Sequence, residues 1–142
     1  MPILQIHLAE GHPTDVISEL ALKCSATYAE IMNAPIERVR VFVNEYPKTH
    51  VAAGGELASN GAMDAPFFSA LALEGRPIED RQAVLSRITD VIVDVLRVDR
   101  EWVRGMVHVV HPENWGIAGV PASQARKSEI EARAEAATLS ES

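Results

Sequence analysis

The sequence is short of cysteine, of aromatic residues and of positive charge, and it holds no long apolar run. Cys24 is the only cysteine, so no intrachain disulfide can form. It stands in an apolar stretch without metal-ligand spacing, which reads as a buried structural thiol and not as a nucleophile. Lysine and arginine number 13 against 20 aspartate and glutamate, a net charge of −7. That balance excludes a general nucleic-acid binder, whose affinity rests on neutralising phosphates with basic side chains. No stretch approaches the roughly 18 consecutive apolar residues that a membrane-spanning helix requires. The start, MPILQIHLAEGHP, lacks a basic segment ahead of a long apolar run, so it does not read as a signal peptide. A cytoplasmic protein with no membrane partner is expected. What is present is ordinary: 142 residues, 47% hydrophobic and 23% charged, enough to bury a core.

The informative feature is an internal repeat with a constant offset of 64 residues (66 − 2 for the two prolines that open it). Pro2 and Pro66 begin the runs PILQIHLAEG and PFFSALALEG. Glu10-Gly11 recurs as Glu74-Gly75, His12-Pro13 as Arg76-Pro77, and Val39-Arg40 as Val103-Arg104. Val51 corresponds to Trp115, and Ala58-Ser59 to Ala122-Ser123. Register held through so many positions without a gap marks a duplication.

Each unit reads β-α-β. Leu4, Ile6 and Leu8 alternate with Ile3, Gln5 and His7, as in a strand. From Pro13 to Asn33 the apolar residues Val16, Ile17, Leu20, Cys24, Tyr28 and Ile31 recur at helical spacing, with Pro13 suited to the first turn. VRVFVNE after Pro35 is again strand-like. The second unit has a cleaner helical stripe of Val84, Leu85, Ile88, Val91, Ile92, Val95 and Leu96, followed by VRGMVHVV. Strand, crossover helix and strand make a parallel right-handed unit. Two such units predict an α/β (α+β) fold with one four-stranded sheet and both helices on one face. The uncovered face should carry Phe68, Ala70, Phe42 and Met106 and meet other subunits. The expected division is a first unit at 2–59, a linker at 60–65, a second unit at 66–123 and a tail at 124–142. Gly54-Gly55 and Ala118-Gly119 read as turns, and the Ala/Glu-rich tail as a solvated helix or loose end.

Pro2-Ile3, Gln5-Ile6-His7, Glu10-Gly11, Ala34-Pro35, Val39-Arg40-Val41, Glu45, Lys48, His50 and Gly54-Gly55-Glu56-Leu57-Ala58-Ser59 together resemble the 4-oxalocrotonate tautomerase family. The second unit matches more loosely, through Pro66, Leu73-Glu74-Gly75-Arg76, Val103-Arg104 and Trp115-Gly116-Ile117. The whole resembles a fused member of the tautomerase superfamily, two short subunits joined in one chain. The resemblance implies an amino-terminal proline as base, arginines for substrate carboxylates and an aromatic wall. The chemistry suits those residue types. A prolyl nitrogen freed by removal of Met1 is a secondary amine, and nearby cations with partial burial disfavour its charged form and bring it toward neutrality. A guanidinium binds carboxylate bidentately and stabilises charge moving onto a dienolate.

The two halves depart from the family pattern in opposite ways. The loop arginine is His12 in the first unit and Arg76 in the second, and the aromatic is Val51 in the first and Trp115 in the second. Only Pro2 can become an amine, since Pro66 is an internal imide. In the family the loop arginine and aromatic come from the partner unit, which implies that Pro2 is served by Arg76 and Trp115. The combination of Pro66, His12 and Val51 lacks amine, cation and aromatic together, so one site per chain is expected. Arg40 and Arg104 both occupy the family's strand position, and the one facing Pro2 can come from a neighbouring chain. Trp102 reads as packing. His7, His12, His50, His108 and His111 show no metal-ligand spacing, and no metal is expected. Glu113 lies close enough in sequence to Trp115 to approach the pocket. The water-activating glutamate of dehalogenase relatives falls near Ile117.

The resulting expectation is a cofactor-independent keto–enol tautomerase of an unsaturated 2-oxo or 2-hydroxy acid, with Pro2 as general base. Arg76 and Arg40 act in catalysis, and Arg104 and Trp115 contact the small carboxylate substrate. Single-unit relatives form hexamers, so the resemblance implies a homotrimer of fused chains. Two alternatives stay open: a 3-chloroacrylate-type dehalogenase or malonate semialdehyde decarboxylase, and an inactive trimeric binding homologue.

Overall fold

The computed structural model describes residues 2–141. The first unit contains β1 (Ile3–Ala9), α1 (Thr14–Met32), β2 (Arg40–Tyr46) and the short pair β3 (Ala52–Ala53) and β4 (Glu56–Leu57). The second contains β5 (Phe67–Leu73), α2 (Ile78–Leu96), β6 (Arg104–Val110), β7 (Gly116–Ile117) and β8 (Val120–Pro121). Each element of the second unit starts 64 residues after its counterpart (67 − 3, 78 − 14, 104 − 40). Two further helices follow, α3 (Ala122–Ala125) and α4 (Lys127–Glu141).

The sheet order is β2-β1-β5-β6. Within each unit the strands are parallel, and the units join where β1 and β5 run antiparallel at the centre. The four-stranded sheet with α1 and α2 on one face is the architecture that the repeat predicts. Pro13 and Pro77 stand just outside their helices, in extended conformation, as N-caps. Their missing N–H groups would have had no helical partner there. The helices bury the same register: Leu20, Cys24, Tyr28 and Met32 in α1, and Val84, Ile88, Ile92 and Leu96 in α2. Spacing by four keeps each set on one face. They close over Leu4, Ile6, Leu8, Phe68, Ala70 and Ala72 of the central strands. Each large side chain so buried contributes about 1.5–3 kcal/mol relative to exposure.

The expected uncovered face needs correction at two residues. Phe68 and Ala70 are fully buried under the helices, while Phe42 and Met106 are exposed. Antiparallel pairing sets this: Ile6 faces Phe68 and Leu4 faces Ala70, so the partners share the helix side. The open face carries Phe42, Met106, Tyr46 and Phe67 instead. There His7 stacks between Tyr46 and Phe67, each ring 5.8 Å away, and its Nδ1 lies 2.7 Å from the Tyr46 hydroxyl in a hydrogen bond.

Two glycine pairings shape the fold. Gly54 and Gly55 have φ of 63° and 79°, and the matching turn is made by Ala118 and Gly119 at 51° and 83°. Positive φ at both central residues is what a tight hairpin requires. Trp102 packs against Gly54, where an added Cβ would lie 3.4 Å from its ring. Gly105 pairs with Phe68, and a Cβ there would fall 2.1 Å from the ring. The first unit holds Val41 opposite Leu4 at the same two positions, so the repeat has exchanged Leu plus Val for Phe plus Gly.

Candidate active site

Pro2 is buried immediately before β1, and its carbonyl accepts the Arg40 N–H at 3.0 Å, which extends the β1–β2 ladder. Because β5 runs antiparallel to β1, the end of β5 lies beside Pro2, and Ala72 and Leu73 line the same cavity. The turn after β5, with Gly75 at φ 107°, delivers Arg76 to that cavity. Arg76 Nη1 donates to the Met32 carbonyl at 2.8 Å, satisfying an end carbonyl of α1. Asp80, one turn on, lies 3.9 Å away. The Arg76 side chain is only 15% exposed. Burial holds its pKa below the usual arginine value, with the nearby Arg133 guanidinium adding to the effect.

The other wall comes from α4 and the residue before it. Arg126, Glu129, Ile130 and Arg133 face Pro2, and Arg38 completes the rim. Glu129 accepts from Arg38 Nη1 at 2.8 Å and Nη2 at 2.9 Å, a bidentate pair. The Arg38 hydrogen bonds hold the Glu129 carboxyl below its ordinary range. The space left over Pro2 is about 30 Å³.

A second cavity of about 220 Å³ adjoins the first and shares Arg38 and Arg126 with it. Its lining includes Arg40, Trp115 and Ile117. Pro2 and Arg76 are thus brought together directly, and Arg40 and Trp115 lie next door. Arg104 is not brought there. Its N–H bonds the Pro66 carbonyl at 3.1 Å, and its guanidinium donates to the carbonyls of Glu101 and Val103. Glu113 lines a different cavity with Glu74 and His111. His12 and Val51 line a cavity of about 220 Å³ in which His12 Nε2 meets Asp64 Oδ2 at 2.9 Å. Among the described residues no three His, Cys, Asp or Glu side chains are grouped to hold a metal. No helix there is long and apolar enough to cross a membrane. Removal of Met1 concerns a residue outside those described.

Sequence reasoning did not pick out Arg38, Arg126, Glu129 or Arg133. The last three, with Ile130, are spaced i, i+3, i+4, i+7, one helical face. That spacing was the available signal.

A family model described as tautomerase enzyme matches residues 2–60 and again 66–125, so α4 lies beyond both matches. A 2-hydroxymuconate tautomerase of Pseudomonas sp. (strain CF600) is 42% identical over 59 residues, 42% of this chain and 94% of that protein. The solved structure of a native fused 4-OT is 30% identical, with a TM-score of 0.80 over 84% of this chain and 95% of that one. A fused 4-OT solved as a wild-type symmetric trimer has a TM-score of 0.79 over 87% of this chain and 98% of that one. At 22% identity that likeness is one of fold.

Proposed function

The chain belongs to the tautomerase enzyme family, and from that premise we propose that it isomerises an unsaturated 2-oxo or 2-hydroxy diacid of the 2-hydroxymuconate kind. The reaction needs no cofactor. The Pro2 amine takes the proton from the enol hydroxyl or the alpha carbon and returns it at the vinylogous carbon. Arg76 holds a carboxylate and the charge that moves onto the dienolate. Arg40 takes the distal carboxylate, and Trp115 stacks on the conjugated chain and excludes water. Arg104 serves a Pro2 site only from a neighbouring chain.

The observation that carries this reading is that Pro2 and the desolvated Arg76, from opposite halves, line one cavity. Positive charge around the amine disfavours its protonation and so favours a base. A hydrolytic dehalogenase would need a carboxylate to activate water. Glu129 lines the Pro2 cavity with both oxygens engaged by Arg38 and its basicity lowered by it, and Glu37 lines the adjoining cavity. The exposed apolar side chains on the open sheet face support a homotrimer closed around those faces. The test is the tautomerisation of 2-hydroxymuconate followed by absorbance, with intact mass on the same sample. Active enzyme should lack Met1, and Pro2→Ala should lose most of its turnover with the fold intact. Full Met1 retention in active protein would end the proline mechanism.

A further inference from the structure

Helix α4 lies outside the two repeated units yet lines the Pro2 cavity through Glu129, Ile130 and Arg133. It is weakly held. None of its described side chains is buried, and only Ile130 and Arg133 reach intermediate exposure. An element with so little apolar burial opens at low cost in free energy. The cavity beneath it, about 30 Å³, has room for one or two waters and none for a six-carbon diacid. Substrate therefore enters only if α4 moves. Glu129 fastens it to the first unit, paired to Arg38 through both oxygens. Arg38 also borders the second cavity, so a diacid stretched from Arg76 toward Arg40 passes its guanidinium.

Resting on the tautomerase reading above, we propose that Arg38 is a further substrate-carboxylate site, kept occupied by Glu129 as an internal carboxylate, and that α4 is the lid this pair latches. A diacid exchanges its own carboxylate for that of Glu129 as the lid opens. A monoacid opens the same latch without regaining the contact.

Steady-state kinetics on 2-hydroxymuconate and on the monoacid phenylenolpyruvate separate the parts. Glu129→Gln should lower KM for both substrates, about two- to fivefold for a half-exposed bidentate pair, with kcat retained. Glu129→Asp keeps the charge but is too short to grip both nitrogens, and should move KM in the same direction. Arg38→Ala should lower KM for the monoacid and raise it for the diacid. Amide exchange of residues 127–141 without substrate reads the latch independently of turnover, and should be faster in both Glu129 variants. An unchanged KM and unchanged exchange in Glu129→Gln would overturn the lid. A Glu129→Asp enzyme identical to wild type would assign the effect to charge alone and overturn it equally. An Arg38→Ala enzyme improved on both acids would remove Arg38 from substrate binding. Wild-type protein inactive on both acids, with the exchange result as expected, would instead refute the tautomerase reading and leave the latch standing.

Discussion

Replacing Arg76 by alanine, with His12→Ala as its mirror control, tests whether one half of the duplication has kept the chemistry. Arg76 is 15% exposed, so its charge acts at low screening. Losing a largely desolvated contact to a substrate carboxylate costs about 2–5 kcal/mol. At about 1.4 kcal/mol per tenfold, kcat/KM should fall roughly 30- to 5,000-fold. The same guanidinium donates to the Met32 carbonyl at 2.8 Å. Leaving that carbonyl unpaired costs about 1–3 kcal/mol of stability, so urea unfolding must accompany the kinetics. The assay is run well below the unfolding midpoint of the variant. His12 occupies the equivalent turn but is paired to Asp64, 2.9 Å away in the other cavity. His12→Ala should change kcat/KM by less than about twofold while shifting stability by up to about 1 kcal/mol. Equal losses of activity in the two variants would refute the assignment of a single site per chain.

Cys24 is fully buried, and burial pushes its thiol up to about 12. The buried Tyr28 hydroxyl, which donates to the Leu71 carbonyl at 2.6 Å, is raised in the same way. A raised folded pKa in groups that are neutral when protonated gives stability that is full below the unfolded values and is lost as pH climbs through the folded ones. Urea midpoints should therefore fall from about pH 9 upward, and native protein should resist iodoacetamide at pH 8 until unfolded. Gly105→Ala should cost about 1–3 kcal/mol by driving a methyl into the Phe68 ring, and Phe68→Leu in that background should recover part of it, read by urea unfolding. Light scattering on eluting protein should give about three times the 15.5 kDa chain mass. A stable monomer would remove the closed trimer and any arginine supplied across it.

The repeat made much of the fold legible, because a fixed offset carries strand, helix and turn positions from one unit to the other. It did not fix which face Phe68 and Ala70 take. PFFSALAL is apolar at nearly every position, so alternation carries no sign there, and the pairing of β5 with β1 decides. Arg40 and Arg104 occupy equivalent positions of the repeat, each after a valine, and only topology puts one beside Pro2 and the other beside Pro66. The face formed by α4 and the residue before it was hidden for a different reason. Arg126, Glu129 and Arg133 are charged, and a charged helical face ordinarily reads as solvated until a partner for it is seen.

The exchange of Leu4 and Val41 for Phe68 and Gly105 has a genetic consequence. In an assembly of identical short subunits, every substitution arises in both halves at once, and a core change must suit two environments simultaneously. Joined in one reading frame, the halves mutate singly. A glycine can appear opposite one phenylalanine while valine stays opposite leucine in the sister copy. Selection then acts on each half alone, and the core around Phe68 records how far the two have already drifted apart.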